Sequence, residues 1–529
     1  MRIWIAASLS ALALVALVGL ARRLPQTFPT GDSALIESYT IRAVHGSLLL
    51  GPYSRYRWHH PGPLYFYVLA PFYALSGQRT AGLHIGALAI NLTAVLAMVA
   101  ITFHSTHYVT AVALAAASAV YLTRVPELLG SIWNPHVLVI PTMALIVIAA
   151  EAAAGRPRLL PMVALLASFA AQTHVGLVPT TLMISAAAFV AVAAPIFIGA
   201  NRRPQPASHL SEASDDRQQG QRRWRPLFTT ILVLGIVWLP PIVEQLRHRP
   251  GNVTELFRYF AAPGTPGRPF RTAFYAWADS TAGVLGSEFD IARGHALPRS
   301  HAGWSQAAAL SEMAGLIGIA AWARLTRRRF HFTLSVMLVA ASAVALWSAS
   351  RISGEMLDHD VFWMSGLGAI NLAALFAAAV SVTGFRDTVK PRGAAAVCGV
   401  LLTLGLVRGF AEFQRSSVPT ADAAAIRATA DAIQSYTQLE RIERPLIVID
   451  QPAWQLAVGV LLQLQKAGAP FAVERDWLTM FTDDVAPTGD ERVAVSIGSA
   501  ERHVHNGNRS GNVVIAEYPP VFADAVVIH

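Results

Sequence analysis

A carboxylate placed just beyond an apolar segment is the first candidate for chemistry in this chain. Asp32 follows the apolar run near residues 3 to 20, and a polar stretch rich in Arg, His and Tyr comes after it. A carboxylate at a membrane surface can accept the proton of an acceptor hydroxyl as that oxygen attacks, so we predict Asp32 as a general base. A structural alternative stays open, because an Asp after Gly also caps helices, here one beginning at Ser33.

The composition indicates what kind of protein must position this carboxylate. Hydrophobic residues make up 54% of the 529 positions and charged residues only 14%, with a mean hydropathy of +0.44. These values are typical of a polytopic membrane protein rather than a soluble domain. The formal charge of +9 comes from basic residues in short clusters between apolar runs, and no nucleic-acid motif is present, so we expect no nucleic-acid partner. The single cysteine, Cys398, excludes an internal disulfide.

Apolar runs near the length of about 20 residues that crosses a bilayer predict an all-α membrane region with about 11 transmembrane helices. The predicted spans lie near residues 3–20, 81–103, 107–122, 137–151, 159–171, 175–199, 227–243, 308–323, 330–350, 362–383 and 393–410. The apolar run 63–76 is too short to span and contains Pro71, so we predict a helix lying in the membrane interface.

Basic residues between the spans predict the orientation. If the N-terminus is cytoplasmic, four cytoplasmic loops carry two to six Lys or Arg each, whereas three short outer loops carry none or one. This asymmetry follows the positive-inside rule. The expected location is therefore the cell's inner membrane, in a multi-pass topology whose large outer loops and C-terminal region are extracytoplasmic.

The chain divides by composition into two predicted domains. Residues 1–410 form the transmembrane domain, with large outer loops at 21–80 and 244–307. The polar cytoplasmic segment 200–226 has the composition of a disordered linker. Residues 411–529 alternate between helical and strand patterns, which predicts a small extracytoplasmic α/β domain. Its predicted elements are helices at 421–439 and 453–468 and four strands at 445–450, 470–474, 493–498 and 512–518.

Three motifs in the first outer loop carry a resemblance to a known family. The pattern D-x-A-x-x-E-x-Y-x-x-R runs from Asp32 to Arg42, G-P-Y-S-R begins at Gly51, and H-P-G-P-L-Y begins at His60. The segment resembles the first outer loop of GT-C integral-membrane glycosyltransferases, in the branch of aminoarabinose transferases and protein O-mannosyltransferases. The resemblance covers residues 32–75 in motif and residues 1–410 in topology. The chain departs from the family pattern at Ser33, where many relatives carry Glu.

The resemblance implies a GT-C fold and an inverting transfer of a sugar from polyprenyl phosphate to an acceptor hydroxyl on the outer face. The expected partners are a polyprenyl-phosphate sugar donor, a glycan, lipid or protein acceptor, and the lipid bilayer. Nucleotide-binding motifs are absent, which disfavours a nucleotide sugar as the direct donor. No cofactor is predicted, although a divalent cation stays open.

A donor of this class releases an anionic phosphate, which requires cations or hydrogen-bond donors where the charge develops. The candidate phosphate-binding residues share a basic or imidazole side chain in an outer loop: Arg55, Arg57, His59, His60, Arg258 and Arg271. For Arg55 and Arg57 the alternative is contact with lipid headgroups. One of the two adjacent histidines is expected to be structural.

Other outer-loop residues are candidate substrate contacts. They share a polar side chain on the predicted outer face: Glu37, Tyr53, Tyr56, Asn134, His136, His174 and Glu244. A lone His such as His174 between apolar spans is a packed residue about as often as a functional one. The acidic segment 355–360 could bind a divalent cation, but a solvated acidic loop is the favoured interpretation, and we predict no metal site.

Two other functions stay open from the sequence. A polymerase or ligase of lipid-linked glycans should depend on a large outer loop rich in Arg and His, and in 244–307 the carboxylates are scattered. A transporter or flippase should show two related halves and charged residues near the bilayer midplane, and the sequence indicated neither.

Overall fold

The computed structural model describes residues 27–200, 210–262, 267–297, 303–383, 390–416, 422–499 and 513–527. The span predicted near residues 3–20 lies outside these ranges. The helices of nine or more residues in the described part are α1 Gly31–Val44, α2 Leu64–Leu75, α3 Thr80–His104, α4 Tyr108–Arg124, α5 Val139–Ala153, α6 Leu160–Thr173, α7 Val178–Ala200, α8 Leu210–Val237, α9 Leu239–Arg247, α10 Asn252–Ala261, α11 Phe270–Ala282, α12 Gly303–Leu325, α13 Arg329–Ser350, α14 Met364–Val382, α15 Pro391–Ser416, α16 Ala423–Leu439 and α17 Trp454–Lys466.

Residue contacts divide the chain into two compact units. Unit 1 combines Met1–Gly86 with Gln414–His529, and unit 2 runs from Ala87 to Phe413. Unit 1 therefore contains α1, which carries Asp32, together with the C-terminal helices and strands. The sequence-based division at residue 410 stays a prediction about domains.

Six described helical segments are long and apolar enough to cross a bilayer, or seven if one bent pair is a single span. They are Thr80–His104, Asn134–Ala153, Val175–Pro195, Gly303–Leu325, Arg329–Ser350 and Asp358–Val382, with the pair Trp224–Val237 and Leu239–Arg247 bent by 45°. Pro240 and Pro241 follow the break, and a proline lacks the N–H that would continue the helical ladder. The predicted count of 11 is not confirmed, since α4, α6 and the apolar stretch Pro391–Gly405 are shorter than 18 residues.

Two sequence-based expectations about unit 2 were wrong. The segment predicted as a disordered linker is helical from Leu210, where α8 begins, because its Glu, Ala, Arg and Gln residues favour helix and continue into an apolar run. The expectation that no acid lies near the middle of a span also fails. Glu312 lies in Gly303–Leu325 and is buried, and Asn371 of α14 donates a hydrogen bond to its Oε2 at 2.9 Å.

The C-terminal part of unit 1 contains a five-stranded sheet in the order β2-β1-β3-β5-β4. Its strands are β1 Leu446–Ile449, β2 Ala472–Val473, β3 Val493–Ser499, β4 Val513–Tyr518 and β5 Val521–Val527. Strand β1 runs parallel to β2 and β3, whereas β5 is antiparallel to β3 and β4. The four predicted strands and both helices are present. The sequence analysis missed β5, whose residues alternate between buried and half-buried after the Pro519-Pro520 turn.

The core of unit 1 joins residues from both ends of the chain. Ala34 and Leu35 of α1 are buried in one cluster with Ile426 of α16, Val458 of α17 and Val495 of β3. Helix α1 thus buries an apolar face against the same core that holds the sheet together.

Candidate functional site

A short hairpin follows α1 and presents the basic residues of the first loop. Tyr53 and His59 form an antiparallel bridge, and the Ser54 N–H donates to the Trp58 carbonyl at 2.9 Å. Arg57 has a φ of 65°, which turns the backbone between the two arms. The hairpin therefore places residues 55 to 57 at its tip and anchors both arms at its base.

Gly51 explains why the loop motifs need a glycine before this hairpin. A Cβ at this position would meet the carbonyl oxygen of Gly62 at 2.7 Å and would lie closer still to that of His60. Both neighbours are backbone atoms, so neither can rotate away. The G-P-Y-S-R and H-P-G-P segments thus pack backbone against backbone at the base of the hairpin.

Asp32 lies in the first turn of α1, where the hairpin contacts it. The Tyr53 hydroxyl donates to Asp32 Oδ1 at 2.6 Å, and the carboxylate is half-buried. Burial, together with the negative charge of Asp32, raises the pKa of Tyr53, which keeps the phenol protonated and donating. The helix begins at Gly31, with Thr30 as its N-cap, so the predicted alternative of Asp32 capping a helix from Ser33 is wrong. The free N–H groups of the first helical turn favour a carboxylate there.

The hairpin tip carries two exposed arginines. Arg55 donates to the Tyr56 hydroxyl at 3.0 Å and lies 5.0 Å from the centre of the Tyr56 ring. Arg57 is 3.9 Å from the Asp476 carboxylate, and both side chains are largely exposed, so that ion pair contributes little. The tip is therefore a positively charged surface whose guanidinium groups can turn toward an anion.

The two histidines of the hairpin are both buried, which changes the role expected for them. Burial lowers the pKa of His59 to about 4, and its ring Nε2 lies 3.4 Å from the Tyr39 hydroxyl. A neutral His59 at physiological pH offers no positive charge to a phosphate. His60 packs edge-on against Trp58 at 5.5 Å, and its backbone N–H donates to the Pro52 carbonyl. Both histidines thus contribute to the base of the hairpin.

Glu37, a predicted substrate contact, lies inside a protein network. Its side chain is fully buried, with Lys466 Nζ at 2.7 Å and the Tyr73 hydroxyl at 2.9 Å from Oε1. The Thr80 hydroxyl donates to Oε2 at 2.7 Å. The carboxylate is enclosed by three donors from three other segments, so we leave it out of the substrate site.

Three other predicted residues lie in unit 2. His136 is buried, with its Nε2 2.9 Å from the Ala292 carbonyl and its Nδ1 2.8 Å from the Ser131 hydroxyl. Asn134 donates to the Thr173 carbonyl at 3.4 Å, and the His174 ring accepts from the Gly176 N–H at 3.1 Å. The contacts to Ala292 and Thr173 join segments distant in sequence, whereas those to Ser131 and Gly176 are local.

The large-loop candidates of unit 2 also have partners close by in sequence. Glu244 is buried and accepts from the Asn252 N–H at 2.9 Å, which fixes the start of α10. Arg258 pairs with Glu255 at 2.9 Å, and Arg271 donates to the Tyr275 hydroxyl at 2.8 Å. Arg258 and Arg271 are exposed and remain predictions as phosphate contacts.

Two carboxylates of the acidic segment 355–360 accept hydrogen bonds from backbone N–H groups, so the segment is not the solvated loop that we expected. Asp358 is buried and accepts from the N–H groups of Arg293 and Gly294 at 3.1 and 2.8 Å. Asp360 accepts from the Leu357 N–H at 2.9 Å. Among the described residues, no group of three or more His, Cys, Asp and Glu side chains is arranged to hold a metal ion.

The sequence analysis did not name two residues as site candidates: Lys466, which contacts α1, and Arg42, which lies on α1. Lys466 reaches Glu37, and Arg42 pairs with Asp484 at 2.9 Å. Arg42 closes the first motif, and Lys466 is one of two lysines in a chain whose other basic residues are all arginine. That exception was the available signal, since Lys places a compact charge at the end of a flexible stem.

Comparison with known proteins identifies the fold. No protein-family model and no curated protein sequence matches the chain. The crystal structure of ArnT from Cupriavidus metallidurans bound to undecaprenyl phosphate superposes with a TM-score of 0.51 at 13% identity, over 99% of this chain and 98% of that chain. The crystal structure of the same protein in the apo state gives a TM-score of 0.48 at 13% identity, over 98% of each chain. The apolar helices and the likeness to the first structure show a multi-pass membrane protein with the fold of ArnT.

Proposed function

We propose that this protein is an inverting membrane glycosyltransferase that moves a sugar from a polyprenyl-phosphate donor to an acceptor hydroxyl. The observation that carries the proposal is the Asp32 carboxylate at the start of α1, held by the Tyr53 hydroxyl at 2.6 Å, in a chain with the fold of ArnT. The ArnT structure of that fold contains undecaprenyl phosphate, which supports a donor of the polyprenyl-phosphate class.

In the proposed reaction the acceptor oxygen attacks the anomeric carbon of the donor sugar. A new C–O bond forms on one face while the bond to the phosphate oxygen breaks on the other, so the configuration inverts. Asp32 takes the proton of the acceptor hydroxyl, and polyprenyl phosphate leaves with the bonding electron pair. Tyr53 donates to Oδ1 of this carboxylate and helps to fix its orientation.

The departing phosphate needs positive charge close to it, and the hairpin tip supplies the candidates. Arg55 and Arg57 are exposed; Arg55 donates to the Tyr56 hydroxyl, and Arg57 forms a weak ion pair with Asp476. Their guanidinium groups can form two parallel hydrogen bonds to phosphate oxygens. His59 is neutral and buried, so the proposal assigns it no charge-stabilising role.

The proposal places this site and the C-terminal sheet on the outer face of the inner membrane. The excess of basic residues in the loops assigned to the cytoplasm supports this orientation. A lipid-linked donor suits that face, since it delivers an activated sugar where cytoplasmic nucleotide sugars are absent.

The first experiment measures transfer of label from a panel of polyprenyl-phosphate sugars into membrane acceptors by the purified protein. We expect one donor to support transfer, and we expect Asp32→Asn to lower the rate by about 10²- to 10⁴-fold, the usual contribution of a general base. Asp431→Asn on α16 is the matched control, because it removes an exposed carboxylate of the same unit. Normal turnover by a folded Asp32→Asn variant would remove Asp32 from the base role.

Two further arms test the donor site. Arg55→Ala should weaken donor binding, whereas Arg427→Ala removes an exposed arginine of α16 and should not. Unchanged donor affinity in Arg55→Ala would make Arg55 a headgroup contact. Transfer measured with and without a chelator decides whether a divalent cation takes part. No transfer with any donor by a folded protein would favour the ligase or transport functions instead.

A further inference from the structure

Helix α1 belongs structurally to the C-terminal sheet region, although more than 370 residues separate them in sequence. Ala34 and Leu35 are buried in the core built by α16, α17 and the strands. Gly31, next to Asp32, lies against the side chains of Trp454 and Gln455 at the start of α17. The start of α1 therefore rests on residues that the sequence analysis assigned to a separate domain.

A row of polar contacts fixes the rest of α1 to the same region. Ser38 donates to Gln465 at 2.7 Å, and the Tyr39 hydroxyl donates to the Met480 carbonyl at 2.7 Å. Arg42 pairs with Asp484 at 2.9 Å and also donates to the Thr482 hydroxyl. These contacts, made from Ser38 to Arg42, tie just over one turn of the helix to α17 and the segment after it, which restricts both rotation and sliding of α1.

The strongest of these ties is the ion pair between Glu37 and Lys466. The carboxylate is fully buried and the Lys466 side chain is 14% exposed, so water screens the attraction little. Lys466 Nζ also donates to the Gln78 carbonyl at 3.1 Å. Tyr73 of α2 and Thr80 of α3 complete the shell around Glu37, so this carboxylate joins α1, α2, α3 and α17.

We propose that Lys466 is a positioning residue for the transfer reaction, acting through Glu37 to hold α1 and its Asp32 in register with the hairpin. The inference rests on the proposed function. Glu37 lies five residues after Asp32 on the same helix, about 7.5 Å along its axis, so a shift at Glu37 moves Asp32 with it. The C-terminal region would then be a part of the catalytic unit and not an accessory.

The coupling itself is tested by hydrogen–deuterium exchange of the full-length protein in detergent. Lys466→Met should speed exchange in peptides covering residues 31–44, and Lys466→Arg should restore slow exchange by returning a cation. Arg427→Met, which breaks an exposed pair on α16, is the matched control and should leave exchange in these peptides unchanged. Equal exchange in wild type and Lys466→Met would overturn the coupling.

The catalytic consequence is tested by steady-state transfer with the same variants. Lys466→Met should lower kcat by about 10- to 100-fold, the scale expected when a reacting group is misplaced by roughly 1 Å. The KM for the donor should change little, because Lys466 is not placed at the phosphate, and Lys466→Arg should recover most of kcat. A variant with faster exchange but normal kcat would show a purely structural contact and would overturn the positioning role.

The exchange and transfer measurements test the role of Lys466 separately from the proposed function. If wild type transfers no sugar from any donor, the proposed function and the catalytic role of Lys466 both fail. The exchange experiment still decides whether Lys466 fixes α1, since it needs no activity. A change of KM alone in Lys466→Met would overturn positioning in favour of direct donor contact.

Discussion

Glu37 and Glu312 are both glutamates on helices with their side chains buried, but the two units surround them differently. Glu37 of unit 1 receives a lysine ammonium and two hydroxyl groups. Glu312, in an apolar span of unit 2, receives one amide hydrogen bond from Asn371. Its Oε1 and the Oδ1 of Asn371 have no hydrogen-bond partner among the described residues.

The partners of Glu37 and Glu312 differ because the two environments offer different side chains to a buried carboxyl group. Outside the apolar spans a buried carboxylate can recruit a long cationic side chain whose stem crosses the protein and whose head remains near water. Within a span a second full charge would itself have to leave water, so a neutral amide is the cheaper partner. Burial of the same residue type is thus met by a cation at Glu37 and by a neutral amide at Glu312.

The largest expected effect comes from removing the cation beside Glu37. Lys466→Met leaves the fully buried carboxylate without its ion-pair partner and should lower the free energy of unfolding of unit 1 by about 3 to 5 kcal/mol. Adding Glu37→Leu should recover part of that loss, because the unpaired charge disappears. Thermal unfolding of the single and double variants in detergent measures both. A double variant less stable than Lys466→Met would contradict the comparison.

The next effect concerns the buried His59 of unit 1. Burial lowers its pKa from 6.5 to about 4, so the unfolded chain takes up the proton first as the pH falls. The contribution of neutral His59 to the free energy of unfolding is therefore fully present above pH 6.5. It decreases by about 3 kcal/mol as the pH falls to 4, because each pKa unit corresponds to about 1.36 kcal/mol. We expect His59→Gln to flatten the pH dependence of unfolding between pH 4 and 6.5. The exposed His45 is the control, and a profile flattened equally by His45→Gln would refute the assignment to His59.

A smaller effect is expected at Glu312. Glu312→Leu leaves the Asn371 amide in an apolar span without its acceptor and should cost about 1 to 3 kcal/mol. Glu312→Gln keeps an acceptor and adds an N–H for the Asn371 Oδ1, so its stability should stay near that of wild type. Unfolding of the two variants under identical detergent conditions provides the measurement. If Gln and Leu destabilise equally, the carboxylate charge matters and the neutral-pair interpretation of unit 2 is wrong.

Local sequence patterns predicted the apolar helices and most of the strands. Apolar runs located most of the described apolar helices to within a few residues, and the helix over 63–76 is present as α2. Alternating patterns found four of the five strands. The exact span count is unconfirmed because several apolar helices are shorter than a bilayer crossing. The strand β5 was missed because it follows a tight Pro-Pro turn that separates it from β4 by only two residues.

The candidate site was only partly predictable. Asp32 and Tyr53 were both named from the sequence, but no pattern indicated that the phenol donates to the carboxylate across 21 positions. Glu37 was expected at the substrate and lies in a closed network instead. Its partner Lys466 is 429 positions away, and a contact of that separation has no local signature in one sequence.

The sequence by itself determined the membrane class, the positions of most apolar helices and the alternating elements of the C-terminal region, because hydrophobicity and periodicity act over short segments. Only the tertiary structure decided that α1 shares a core with the C-terminal sheet, that the hairpin base contacts Asp32, and that Lys466 neutralises Glu37. Those outcomes depend on which buried groups meet in three dimensions, since most buried polar atoms pair with a group that packing brings close, however distant in sequence.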